Sequence, residues 1–236
     1  GMFYFELVRR FGNVVLMTST QMSNQNPATY VQSAPEKVYE YIEDDLLYAC
    51  DILPYATDDQ YRESNDYRFS KGAALGLLTK VYATWAGYPV KDESKWEAAA
   101  KTARILVESG KHGLLKDYEQ LWKNTCNGTW DPTESLIEIS FYSPTVSGNS
   151  DPVGRIGKWN GVKTTAIAGV RGSCAANVKV VHTFVLDWRE DVSDIRRDLS
   201  IANYQYTDTK KSLWVAVTVG VELSRSREAS VWGTCF

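Results

Sequence analysis

The 236-residue chain reads as a mostly α-helical protein, built of tetratricopeptide-like helical hairpins that carry long loops and a few short strands. Three observations predict this. Two apolar-periodic runs of helical length, 71–86 and 95–109, follow one another across a short Gly87-Tyr88-Pro89 break. A third run, from Glu36 to Leu53, has the same three- and four-residue steps. After residue 127 the periodicity gives way to Gly-, Ser-, Asn- and Pro-rich chain.

The elements follow in order. Phe3 to Phe11 forms an opening helix stopped by Gly12-Asn13. A chain that enters a helix at residue two suggests a natural domain starting upstream, with Gly1 a cloning scar. Ser33-Ala34-Pro35-Glu36 has the spacing of a capping box, which makes Ser33 the expected cap of the next helix. Val38, Tyr41, Ile42, Leu46, Ala49 and Leu53 supply its apolar side, and Pro54 ends it.

Ser70 is the expected cap of the third helix. Its core stripe is Ala73, Leu77, Leu78, Val81, Tyr82 and Trp85. Asp92 is the expected cap of the fourth, with Trp96, Ala99, Ala100, Ala103, Leu106 and Val107 as its buried stripe. Gly110 and Gly113 end it, because glycine accepts the left-handed conformation of helix C-termini. Tyr82, Trp85 and Trp96 are expected inside. The unit has the length of a tetratricopeptide repeat without its full consensus.

Later segments are read more coarsely. Leu136 to Ile139 alternates as a strand would, with Glu138 on one face and Glu134 just before it. Val180 to Trp188 is a short helix, and Leu213 to Val217 is strand-like with Trp214 as packing. Asp187, Glu190, Asp191 and Asp194 alternate with Arg189, Arg196 and Arg197, the pattern of a salt-bridged helical surface. An acidic run can also hold calcium through its oxygens, but nothing else in the sequence supports this. No cofactor is expected.

Charge and motifs exclude several functions. A net charge of −3 argues against a nucleic-acid partner. No apolar run has the length of a membrane helix. His112 and His182 lack neighbours at metal spacing, and no nucleophile elbow, P-loop or dinucleotide fingerprint occurs. Cys50 reads as a small buried side chain, while Cys126, Cys174 and Cys235 fall in loop-like contexts. Glu134 and Glu138 are the one carboxylate pair a glycoside hydrolase would use, and their surface reading is the stronger.

Aromatic residues make up 12% of the chain, with 8 Trp and 14 Tyr, most of them suited to helix packing. Those in the loops are candidates for stacking on a sugar. Trp159-Asn160 offers a ring face and an amide for hydroxyls, Trp130 follows Asn127-Gly128, and Tyr142 opens the longest loop. Trp130, Trp159, Asn160 and Tyr142 are therefore the candidate ligand residues, each with loop anchoring as the plainer alternative.

At this point the chain resembles the SusD/RagB family of cell-surface glycan-binding lipoproteins of Bacteroidetes. Five stretches carry the resemblance: Phe5-Glu6-Leu7-Val8-Arg9-Arg10-Phe11-Gly12-Asn13-Val14; Val38 to Pro54; Lys71-Gly72-Ala73-Ala74 to Trp85; Trp96 to Leu114; and Asp117-Tyr118-Glu119-Gln120-Leu121-Trp122 with Glu134 to Ile139. Asp194-Ile195-Arg196 is a weaker echo, and Val14-Val15-Leu16 lacks the proline usual in that turn. The resemblance spans roughly residues 2–211.

It implies one domain over 1–236: a helical scaffold at 2–125, a loop-rich glycan-facing part at 126–212 and an atypical tail at 213–236. The tail matches no family pattern and reads as a shifted frame or a truncated gene. The resemblance further implies non-catalytic capture of oligosaccharide at the outer face of the outer membrane. The glycan would pass to a SusC-like TonB-dependent transporter that faces the hairpins. Membrane attachment would come only through an N-terminal lipid anchor missing from this chain. A ligand-free helical-repeat scaffold and a glycoside hydrolase are the alternatives.

Overall fold

Ser70 sets the frame of the central hairpin. In the computed structural model its extended backbone and hydroxyl cap the helix Lys71–Ala86, with the Ala73 amide donating to Oγ at 3.1 Å. The structure describes residues 1–19, 26–58, 68–139, 162–166, 173–177, 180–189, 193–201, 204–207 and 210–213. Two compact units emerge, one of residues 1–115 with 130–139, the other of 116–129 with 140–236.

In the first unit, α1 (Met2–Phe11) ends where Gly12 turns to φ 67°. Strands β1 (Val14–Val15) and β2 (Gln32–Ser33) pair antiparallel, Val14 opposite Ser33. Helices α2 (Pro35–Ile52), α3 (Lys71–Ala86) and α4 (Lys95–Glu108) follow. α3 packs on both α2 and α4, and α1 packs on α2. These are the helical hairpins that the periodicity predicts.

The core lies where α1, α2 and α3 meet. Phe5, Val38, Ile42 and Val81 are fully buried, joined by Tyr39, Leu46, Leu78 and Trp85. Tyr39 stacks on Trp85 at 5.2 Å between centroids and takes Phe5 edge-on at 6.5 Å. α3 is buried on more than its predicted stripe, Ala74, Leu75 and Ala86 included, because it sits between two neighbours.

Several local expectations fail, each for a backbone reason. Ser33 does not cap α2: it is held in β2, Ala34 takes the cap position without a side-chain bond, and Pro35 starts the helix. Asp92 does not cap α4 either. Its carboxylate accepts from the Ser94 amide at 3.2 Å, closing a turn one step earlier, and Ser94 occupies the cap position. The stripe of α4 is also displaced. Ala99 and Thr102 are buried, whereas Trp96 is 54% and Val107 74% exposed. Trp96 is thus not internal. Leu136 to Ile139 is not a strand.

In the second unit, α5 (Tyr118–Cys126) is capped by Asp117, whose Oδ1 accepts from the Glu119 and Gln120 amides at 2.9 and 3.3 Å. Cys126 therefore closes a helix and is not in a loop, and α5 groups with the later residues. Thr164 and Cys174 exchange backbone hydrogen bonds of 3.0 and 3.1 Å in an isolated bridge. Helices α6 (His182–Arg189) and α7 (Arg196–Ser200) precede a hairpin of β3 (Tyr204–Thr207) and β4 (Lys210–Leu213), Tyr204 opposite Leu213. Trp214 and the tail after it lie outside the described residues.

Candidate functional site

The route from the helical unit to the candidate ligand loop runs through residues 130–139. Three hydrogen bonds strap this segment to the chain that leaves α4. His112 donates from Nδ1 to the Pro132 carbonyl at 2.9 Å, a bond whose acceptor fixes the ring hydrogen on Nδ1. The Gly113 amide donates to the Thr133 carbonyl at 3.0 Å. The Leu115 amide donates to Glu134 Oε2 at 2.7 Å. Asp131 folds the strap internally, its side chain accepting from the Thr133 amide and its carbonyl from the Ser135 amide. Leu136 then lies against Gly76 of α3, where a Cβ would come 2.6 Å from its methyl group.

Trp130 opens the strap and is 8% exposed. So little of its ring is open that it offers no broad face for stacking. Tyr142, Trp159 and Asn160 lie outside the described residues. Of the four candidates, Trp130 alone lies among the described residues.

Catalytic readings find little to build on. Glu134 is half-buried and committed to a backbone amide, while Glu138 is exposed. Among the described residues no group of three or more His, Cys, Asp or Glu could hold a metal ion. Asp194, named in the acidic run, is engaged by Arg196 at 2.6 and 2.8 Å and by the Trp188 indole at 3.0 Å. Those donors hold its carboxyl well below the usual carboxylate range, Arg196 contributing most. Burial pushes the Cys50 thiol up, which favours its protonated form. Among the described residues no helix is long and apolar enough to cross a membrane.

Sequence reasoning missed the strap. Its only signal is the turn chemistry of Asp131-Pro132-Thr133, which does not reveal a partner at His112.

Comparison with known proteins supplies the frame. Residues 1–83 match the SusD-like family described as starch-binding, associating with outer membrane. The chain is 98% identical to a SusD homologue of Bacteroides thetaiotaomicron of solved structure, over 93% of its own length, with a TM-score of 0.84. The chain belongs to the SusD-like family. A SusD-like protein of Bacteroides ovatus is 27% identical over 168 residues, 66% of this chain and 29% of that protein. A crystal structure with xylogluco-oligosaccharide is 27% identical, covering 73% of this chain and 33% of that one, with a TM-score of 0.54. The SusD-like chain described here thus spans 41% of the length of the B. thetaiotaomicron homologue and 29% of the B. ovatus one.

Proposed function

We propose that this chain forms the helical part of a glycan-binding protein that holds oligosaccharide without cleaving it. The observation that carries the reading is the match of residues 1–83 to a family described as starch-binding and associating with outer membrane. The related structure with xylogluco-oligosaccharide favours a neutral glycan as the ligand class. Such a ligand offers ring faces and hydroxyls, so recognition rests on stacking and hydrogen bonds. Net charge contributes little.

In this reading the hairpins α2–α3–α4 are scaffold. Tyr142, Trp159 and Asn160, which follow the strap 130–139 in the sequence, contact the sugar. The protein acts at the outer face of the outer membrane, held by a lipid anchor in the family manner, and delivers glycan to a SusC-like TonB-dependent transporter.

Titration calorimetry with xylogluco-oligosaccharide and with maltooligosaccharide tests the ligand, using both this chain and the longer B. thetaiotaomicron homologue. Saturable binding without release of reducing ends is expected. A flat response from both proteins with both sugars would leave the ligand-free helical scaffold as the better reading. Co-purification of the longer homologue with a TonB-dependent transporter tests the delivery step.

A further inference from the structure

α5 ends on an asparagine followed by a glycine. Asn127 closes the helix at φ −87° and ψ 0°, and Gly128 follows at φ 65°. Both are exposed. The other described asparagines, Asn13, Asn26, Asn124 and Asn177, precede valine, proline or threonine. A β-branched residue crowds the backbone amide after the asparagine, and proline has no N–H. Gly128 presents neither obstacle.

Two backbone hydrogen bonds hold this end of α5. The Gly128 amide donates to the Thr125 carbonyl at 3.2 Å, and the Thr129 amide to the Asn124 carbonyl at 2.8 Å. The first is at the long end of the N–H···O range, and helix ends open most readily. Once both bonds open, rotation about ψ of Asn127 turns the Gly128 nitrogen towards Asn127 Cγ. The freedom of glycine lets the chain beyond follow that rotation.

We propose that Asn127 is a site of self-modification of the folded chain, through attack of the Gly128 nitrogen on the Asn127 side-chain amide. Hydroxide takes the Gly128 amide proton. The nitrogen bonds to Cγ, the Cγ–Nδ2 bond breaks, and Nδ2 leaves as ammonia with a proton from water. The product is a five-membered succinimide. Water opens it at Cγ to give aspartate, or at the main-chain carbonyl carbon to give isoaspartate. One water is consumed and one ammonia released. Either product places a carboxylate at the negative end of α5, where that charge is unfavourable. Isoaspartate also lengthens the main chain by one methylene. The last turn of α5 then opens.

Peptide mapping by mass spectrometry tests this on the whole chain, held at mildly alkaline pH both folded and in urea. It also separates residue 127 from the other Asn-Gly pair, Asn160-Gly161, which lies outside the described residues. The product at residue 127 is expected in both samples. It should form about five- to 150-fold more slowly in the folded one, the cost of opening two hydrogen bonds. Asn127→Gln should abolish it, because the ring would need six atoms. Gly128→Ala should slow it several-fold in urea, where strain at φ 65° plays no part. Trypsin should cut the separated modified chain after Lys123 at least about twofold faster than the fresh chain. No product at residue 127 of the folded chain once the urea sample is fully converted would overturn the proposal. An unchanged rate for Gly128→Ala in urea would do the same, because the attack would not come from that amide. Unchanged cleavage after Lys123 would overturn the opening of α5.

Discussion

Gly72 in the first turn of α3 and His112 beyond the end of α4 fit together with no room for a methyl group. A Cβ on Gly72 would come 2.7 Å from Cδ2 and 2.9 Å from Cε1 of His112, and closer still to Nε2. The ring cannot easily retreat. Nδ1 is tied to the Pro132 carbonyl, and Tyr55 lies 5.8 Å away between ring centroids. Among the described residues, Nε2 is buried without a hydrogen-bond partner. The glycine is what allows α3, the end of α4 and the strap to share one point.

Gly72→Ala therefore destabilises the protein by about 1–3 kcal/mol, the usual cost of overpacking. The helix propensity gained from alanine, roughly 1 kcal/mol, is too small to reverse the sign. Chemical denaturation measures it. The double variant with His112→Ala should recover part of the loss, since the clashing atoms are gone. If Gly72→Ala alone is as stable as the parent, the close fit does not exist.

Gly76, one turn further along α3, behaves differently. A Cβ there would meet a Leu136 methyl group at 2.6 Å, but that methyl is the free end of a flexible side chain. A χ rotation relieves it at roughly 1 kcal/mol, close to the propensity gained. Gly76→Ala should stay within about 1 kcal/mol of the parent in the same denaturation assay. A loss as large as that of Gly72→Ala would mean that the strap is more rigid than its hydrogen bonds require.

Glu43 joins three helices at one carboxylate. It accepts from the Tyr82 hydroxyl at 2.7 Å and from Lys95 Nζ at 2.9 and 3.2 Å. Lys95 also lies 3.8 Å over the Trp85 ring. Removing one partner leaves the others unpaired in a half-buried site, so Glu43→Ala should cost more than the 1 kcal/mol typical of an exposed pair, about 2–3 kcal/mol. The double variant Glu43→Ala with Lys95→Ala should cost less than the sum of the singles, which a double-mutant cycle reads directly.

The same site gives a pH dependence. Burial, followed by the Glu43 hydrogen bond and charge, raises the Tyr82 pKa above its ordinary value of 10.0. The folded protein holds the Tyr82 proton where the unfolded chain releases it. Stability from this group is complete below pH 10 and declines as the pH rises beyond it. Tyr39, raised mainly by burial, adds in the same direction. Melting temperatures measured from pH 8 to 11.5 should fall above pH 10. Tyr82→Phe should begin lower, having lost the bond to Glu43, but fall less steeply. Identical slopes would remove Tyr82 as the source.

The helices were legible because each carries its own punctuation. Ser70, Pro35, Gly12 and Gly110 fix ends through local backbone chemistry, and periodicity supplies the lengths. What was not legible depends on partners distant in sequence. Ser33 has the capping spacing, yet its backbone is taken by Val14. α4 has two adjacent apolar arcs, Ala99 and Leu106 in one and Trp96 and Val107 in the other, and periodicity alone does not say which faces α3. The strap rests on one histidine, one carboxylate and two carbonyl groups, none of which marks its sequence.

Trp130 and Trp159 look alike in the sequence, and substitution should separate them. Trp130 is 8% exposed at the head of the strap, so Trp130→Ala leaves a large cavity and should cost about 3–5 kcal/mol. Any loss of glycan affinity it causes would follow that loss of structure. Trp159 lies in the loop proposed to meet the sugar, where a stacking ring contributes contact more than fold. Trp159→Ala should keep the melting temperature within about 2 °C of the parent and lower oligosaccharide affinity at least about tenfold, a ring contact of roughly 1–2 kcal/mol. Thermal melting and calorimetry on the two variants decide it. A stable Trp130→Ala protein that no longer binds sugar would put the site at the strap, and an unchanged affinity for Trp159→Ala would take that ring out of it.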